Sequence, residues 1–259
     1  MSFTAVRSAF SVVGDGPPVF LIHGIGASRQ SWDGLVEHLK HEFRCIAYDL
    51  RGHGKSPIPP PPCSLSDLVA DLEALRAELG IERAHFFGHS LGAMIAPAYA
   101  RAFPDRVMSV GLLSTAAGRT DDDSAKVMTV IAAMKENGIG PVLETLQGRW
   151  FTPEFAAARP DVIAARLRQV LDTDPAVFLS VFEIYAETEM APWLGEVTAP
   201  ALVLTGEFDG GCNPRLNRVM AATLPDSELV ILPGLRHAIL LEAADRVAPP
   251  VLDFLRRTS

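Results

Sequence analysis

Cysteine is scarce. The 259 residues hold three, Cys45, Cys63 and Cys212, far apart from one another. No Cys-x-x-Cys spacing occurs, so neither a zinc site nor a disulfide framework is indicated. Cys45, inside an apolar run, reads as a small core residue. Positive charge is also in the minority, with 23 Lys+Arg against 31 Asp+Glu and a formal net charge of -8. Phosphate binding leaves a basic stripe and none is present, so nucleic acid is not an expected partner. Long apolar runs are missing too: none approaches the length of a membrane span. Met1–Val13 lacks a basic start followed by an apolar stretch, which argues against a secretory signal. A soluble, cytoplasmic protein is the expectation. A hydrophobic fraction of 48% excludes wholesale disorder. The length suits one large α/β domain, or a core domain carrying an insertion.

Strand-like and helix-like segments alternate. Phe10–Val13 and Val19–Ile22 flank Gly14-Asp15-Gly16-Pro17, a turn signal between two strands. Phe43–Tyr48, Ala84–Phe87, Val107–Ser114, Ala201–Thr205 and Leu229–Leu232 are further short apolar runs. Leu65, Leu68, Val69, Leu72, Leu75 and Leu79 form a helical stripe, and Ser64 with Asp67 three residues on reads as its N-terminal cap. Leu91–Phe103 reads as a helix stopped by Pro104 and kinked at Pro97, and Val247–Leu255 as a closing helix. This alternation predicts an α/β fold with a parallel sheet. From Ala116 to about Leu194 no strand is evident. Apolar residues there repeat at helical spacing (Val127, Ile131, Met134; Val162, Leu167, Val170, Leu171; Val177, Val181, Phe182), which predicts a helical insertion. Pro57–Pro62 reads as a stiff surface loop.

Gly88-His89-Ser90-Leu91-Gly92 fits Gly-x-Ser-x-Gly between a predicted strand and a predicted helix. Such a corner forces the serine into a tight turn, and side chains two positions away would clash there. The Oγ then stands free beside a helix N-terminus that favours negative charge. On its own the pattern fits equally a glycine-rich turn with an incidental serine. His23-Gly24-Ile25-Gly26 follows another strand. An amide here, that of Ile25, can pair with the amide of Leu91 to hold the oxyanion of a tetrahedral intermediate. No Lys-Ser/Thr follows these glycines, so a phosphate loop is a poor fit.

A nucleophilic serine needs a base and the base an orienting acid. Of seven histidines, His38 and His41 lie on a polar helix end and are expected in solvent. His85 starts a strand and is expected exposed, and His53 lies in a structural turn. His23 and His89 sit in the two glycine loops and are placed to line a pocket. His237 follows the strand Leu229–Leu232 in a loop past a strand end, where α/β sites sit. Asp209 lies just past the strand Ala201–Thr205, with Glu207 as its competitor. The corresponding position after Val107–Ser114 holds Ser114 and Thr115 and no carboxylate. The order Ser90, Asp209, His237 is that of one hydrolase architecture and not of the two protease ones.

The chain resembles the α/β-hydrolase fold superfamily over nearly its whole length. The resemblance rests on HGIG at 23–26, YDLRGHGKS at 48–56, GHSLGA at 88–93, GEFD at 206–209 and GLRHAILLE at 234–242. It implies Ser90 as nucleophile, His237 as base, Asp209 as its acid and the amides of Ile25 and Leu91 as the oxyanion hole. It also implies a mostly parallel sheet of about eight strands. The core would be residues 1–115 and 195–259, and the helical cap residues 116–194. YDLRGHGKS is structural in that family, so His53 gains no catalytic role. The stretch Gly148–Phe155 is similar to that of 3-oxoadipate enol-lactonases, which hydrolyse a small carboxylated enol-lactone. The elbow departs from that branch in His89, Leu91 and Ala93, and His89 is commoner in esterases and carbon–carbon bond hydrolases. The expectation is a serine hydrolase of a small carboxylic ester or lactone. The alternatives are a carbon–carbon bond hydrolase of diketones and a non-catalytic ligand receptor. No metal and no organic cofactor is expected. His23, Gly24, Gly26, His89, Trp150 and Phe151 are expected to line the substrate pocket, with Phe155, Met128, Phe182 and Trp193 as further candidates. Arg149 or Arg119 is placed to receive a substrate carboxylate.

Overall fold

The structure is a computed structural model that describes residues 5–60 and 62–259. Met1–Thr4 of the N-terminal reading and Pro61 of the proline tract lie outside the described residues. Seven strands are present among them: β1 (Phe10–Val13), β2 (Pro18–Ile22), β3 (Arg44–Tyr48), β4 (Ala84–His89), β5 (Val107–Leu113), β6 (Ala201–Gly206) and β7 (Ser227–Leu232). They form one sheet in the order β1-β3-β2-β4-β5-β6-β7, one strand short of the eight expected. All neighbours are parallel except β1, which runs antiparallel to β3. The turn at Gly14–Pro17 therefore does not join a pair, because β3 lies between β1 and β2. The reason is burial. β2 is buried from Val19 to Ile22 and takes a parallel neighbour on each side. The half-exposed β1 is left the outer edge of β3.

The helices before the insertion are α1 (Asp33–Leu39), α2 (Leu65–Glu78) and α3 (Gly92–Ala102). The insertion holds α4 (Asp121–Asn137), α5 (Ile139–Trp150), α6 (Pro153–Ala158), α7 (Pro160–Asp172), α8 (Pro175–Glu187) and α9 (Ala191–Leu194). After it come α10 (Pro214–Thr223), α11 (Ile239–Glu242) and α12 (Ala244–Thr258). The alternation of strand side chains sorts the core into two layers. Phe20 and Ile22 share one layer with Leu68 and Leu72 of α2, Met94 and Ile95 of α3 and Met220 of α10. Val19 and Leu21 face Leu35 of α1 and Val247, Val251 and Phe254 of α12. α2 starts on a capping box: the Ser64 side chain accepts from the Asp67 N–H and the Asp67 side chain from the Ser64 N–H.

Two local readings change. His85 is fully buried, with Nδ1 2.7 Å from Ser109 Oγ and Nε2 3.2 Å from Ser259 Oγ. It sits on β4 in mid-sheet, where Ala84–Gly88 are all buried. On α7 the buried residues are Ile163 and Val170; Val170 and Leu167 belong to the expected stripe, Ile163 does not, and the expected Leu171 is exposed. Arg166 and Leu167 lie between Ile163 and Val170 on the same face.

Candidate active site

The ends of β2, β4, β6 and β7 bring four loops to one edge of the sheet, as parallel topology requires. Ser90 follows β4 with φ +56°, a left-handed conformation that a serine adopts only under constraint. Its N–H donates to the Leu113 carbonyl at 2.9 Å, which ties the turn to β5. The two glycines of the motif are required by contact. A Cβ on Gly88 would lie 2.0 Å from the backbone of Gly92, and one on Gly92 would lie 2.0 Å from the Ile22 carbonyl oxygen. Either side chain would push the elbow off the sheet.

The loop after β2 passes close to the serine, since a Cβ on Gly24 would meet the Ser90 Cβ at 2.9 Å. Two buried imidazoles hold it. His23 Nδ1 lies 2.8 Å from the Gly24 carbonyl oxygen, and its Nε2 accepts from the Leu50 N–H at 2.9 Å. His53 Nε2 accepts from the Gly26 N–H at 3.1 Å, and its Nδ1 lies 3.0 Å from the Arg51 carbonyl oxygen. Each ring therefore carries its proton on Nδ1, and burial pushes both pKa values below the ordinary imidazole value. Among the described residues, neither the Ile25 N–H nor the Leu91 N–H finds an acceptor in the protein. Leu91 follows Ser90 in the chain, and Ile25 follows Gly24, which packs on Ser90.

Asp209 follows β6 and is 2% exposed. Its Oδ2 lies 2.7 Å from His237 Nδ1, and its Oδ1 accepts from the N–H groups of Gly211 and Cys212 at 3.1 and 2.8 Å. Burial alone would raise the Asp209 pKa, but the His237 imidazole and these donors outweigh it and leave it lowered. Burial alone would lower His237, and the Asp209 carboxylate outweighs it and leaves it raised. Glu207 is exposed and accepts from the Gly234 N–H at 2.9 Å, so the competing acid is engaged elsewhere. His89 Nε2–H donates to the His237 carbonyl oxygen at 2.9 Å. Burial, with His237 beside it, holds His89 down to about 3, so it stays neutral.

Ser90, Asp209 and His237 line one cavity of about 200 Å³, shared by the sheet edge and the insertion. No hydrogen bond joins Ser90 to His237 in this structure. Gly24, Ile25, His89, Trp150, Phe151 and Phe182 line it as expected. His23 and Gly26 do not. The His23 ring turns inward onto Gly24 and Leu50, and Gly26 is covered by Phe178 and Val170 of the insertion. Met128 is exposed, Phe155 stacks on Phe151 and Trp193 packs under Arg101, so these three leave the pocket. Arg119 and Arg149 both reach the cavity, but the Arg119 guanidinium already donates to the carbonyls of Tyr185, Ala186 and Thr188.

Cys212 and Arg166 are among the lining residues that were not anticipated. Cys212 brings a thiol within 4.8 Å of the Asp209 and His237 donor atoms. These three have the donor types of a metal site, but the carboxylate and the imidazole are already bonded to each other. Arg166 reaches the cavity from α7. Its signal in the sequence was a charged residue on an otherwise apolar helical stripe.

A family model described as alpha/beta hydrolase fold matches residues 17–244. 3-oxoadipate enol-lactonase 2 of Acinetobacter baylyi is 29% identical over 197 residues, 75% of this chain and 72% of that protein. The crystal structure of the enol-lactonase from Burkholderia xenovorans LB400 superposes with a TM-score of 0.90 at 27% identity, covering 97% of each chain. A thermophilic esterase from Thermogutta terrifontis, solved with malate bound, superposes at 0.88 with 29% identity, over 98% of this chain and 94% of that one.

Proposed function

The chain belongs to the α/β-hydrolase fold family, and from that premise we propose that it is a serine hydrolase cleaving a small carboxylic ester or lactone through an acyl-serine. The observation that carries this reading is the 2.7 Å Asp209–His237 bond on the wall of the cavity that also holds Ser90. Asp209 holds His237 with Nδ1 protonated, which leaves Nε2 free to act as base. Ser90 Oγ attacks the carbonyl carbon as its proton passes to Nε2. The negative oxygen is received by the Ile25 and Leu91 N–H groups. Collapse breaks the acyl–oxygen bond, and the leaving alkoxide takes the proton from Nε2. Water, deprotonated by the same nitrogen, then releases the acid and restores Ser90. In a lactone the leaving hydroxyl stays tethered to the acyl group. Of the three proteins compared, two are named for enol-lactones, which supports the lactone. Arg149 reaches the cavity and is otherwise exposed, and it receives a substrate carboxylate. The helical insertion acts as the cap that sets acyl size.

Hydrolysis of graded p-nitrophenyl esters and lactones, with Ser90→Ala as control, tests the reaction. A fluorophosphonate probe tests the nucleophile. The expected result is labelling at Ser90 and loss of turnover by several powers of ten in Ser90→Ala, with the fold retained. Turnover retained in that variant would show a different nucleophile. An unlabelled, inactive wild type would favour the receptor, and cleavage of a dienol diketone in preference to every ester would favour carbon–carbon hydrolysis.

A further inference from the structure

Arg166 extends from α7 to the loop after β2. Its Nη2–H donates to the Ile25 carbonyl oxygen at 2.9 Å and its Nη1–H to that of Gly26. Among the described residues no carboxylate comes within 4.0 Å of its nitrogens. Its guanidinium carbon lies 5.2 Å from the centroid of the Trp150 ring. Burial lowers its pKa to about 10, as expected for a cation taken from water with no counter-charge. The rest of α7 seats on the same loop. Gln169 Nε2 donates to Ser28 Oγ at 2.6 Å, and Val170 lies against Gly26.

These bonds hold the two peptide groups on either side of Ile25. The Gly24–Ile25 peptide, which carries the Ile25 N–H, is held at its carbonyl by His23 Nδ1 at 2.8 Å. The Ile25–Gly26 peptide is held at its N–H by His53 and at its carbonyl by Arg166. His23 and His53 belong to the core of the fold. Arg166 supplies the hold from the insertion. Glycine on each side of Ile25, with Gly26 at φ +59°, gives the loop freedom to rotate if one hold is lost.

We propose that Arg166 is a positioning residue for the oxyanion hole: it carries the seating of the helical insertion to the Ile25 N–H, so that the insertion sets turnover as well as substrate fit. The proposal rests on the reading of the Ile25 and Leu91 amides as the oxyanion donors. A guanidinium suits this task because its planar fork serves two carbonyls at once, where an ammonium is a point donor.

The test uses Arg166→Met, which keeps an apolar stem against Trp150, and Arg166→Lys. Turnover of a neutral p-nitrophenyl ester is expressed per fluorophosphonate-titrated site, so that misfolded chains drop out. In Arg166→Met kcat is expected to fall roughly tenfold to a hundredfold while KM stays within about threefold. Affinity for an arylboronic acid, which forms a tetrahedral adduct on serine, should fall with kcat. Arg166→Lys should lose less in the same direction, and it carries the test if the methionine variant does not fold. Unchanged kcat and boronate affinity in the variants would overturn the proposal. So would a rise in KM confined to anionic esters, since that marks a substrate anchor. Failure of the wild type to label at Ser90 would instead overturn the proposed hydrolase itself, so the two failures are distinguishable.

Discussion

Ser90 stands in a left-handed turn because Gly88 and Gly92 have no side chains to prevent it. Gly92→Ala places a methyl 2.0 Å from the Ile22 carbonyl oxygen, where backbone and not a flexible side chain must yield. A loss of about 3 kcal/mol is expected, at the upper end for an overpacked site, measured by urea unfolding. An alanine enzyme as stable as wild type would mean that the elbow is looser than this geometry. On the proposed mechanism the neutral form of His237 is the base, so activity falls as pH drops through its pKa, which Asp209 raises. The acid limb of kcat/KM is expected above pH ~6.5, the ordinary imidazole value. His23 and His89, both lowered by burial, stay neutral across that range and leave the limb to His237. Asp209→Asn should shift the limb downward and reduce kcat by about a thousandfold or more, as loss of the tautomer-fixing acid does in triads. An unshifted limb in that variant would assign the titration to another group.

The elements were legible to different degrees. The α2 cap needed only Ser64 and Asp67 three residues apart, a local pattern that a short-range hydrogen bond enforces. The face of α7 was read correctly at Leu167 and Val170 but missed Ile163 and included the exposed Leu171, because these residues are alike in polarity and only packing separates them. The strands on either side of Gly14–Pro17 were legible but the partner of β1 was not, because a turn signal says that the chain reverses and not which strand it then meets. The loop after β3 is held to α2 by a buried pair: Arg51 Nε donates to Asp71 Oδ2 at 2.7 Å and Nη2 to Oδ1 at 2.8 Å. Asp71→Ala leaves that guanidinium buried, with the Asp67 carboxylate 3.8 Å away. The expected cost is about 3 kcal/mol, because a stranded buried charge costs more than the pair contributes. Chemical denaturation checks it, and a change below ~1 kcal/mol would show that Asp67 or water compensates.

Across the whole molecule, the cavity lies where the insertion meets the loops at the sheet edge, and the loop that carries His237 is bonded to it directly. Arg236 donates to the carbonyls of Gly148 and Phe151, the Ala238 N–H donates to the Trp150 carbonyl at 2.9 Å, and Thr152 bonds Glu242. The His237 loop and the end of α5 are thus braced together, and Arg149 of that helix end reaches the cavity. Arg149→Ala is expected to raise KM about tenfold for a carboxylate-bearing lactone, the size of one exposed charge-assisted hydrogen bond. KM for a neutral ester should hold. Equal effects on both substrates would remove Arg149 from carboxylate binding. No helix among the described residues is long and apolar enough to cross a membrane.

The order of Ser90, Asp209 and His237 past the ends of β4, β6 and β7 was readable from residue types alone, because each sits on a short turn governed by the backbone within a few positions of it. The same locality made the glycine motif and the strand–helix alternation readable. The inward turn of His23, the burial of His85, the thiol of Cys212 beside His237 and the grip of Arg166 on Ile25 were not. Arg166 and Ile25 are 141 positions apart. Their contact forms only when the insertion comes down on the sheet edge, and periodicity within α7 carries no information about the carbonyls it will meet.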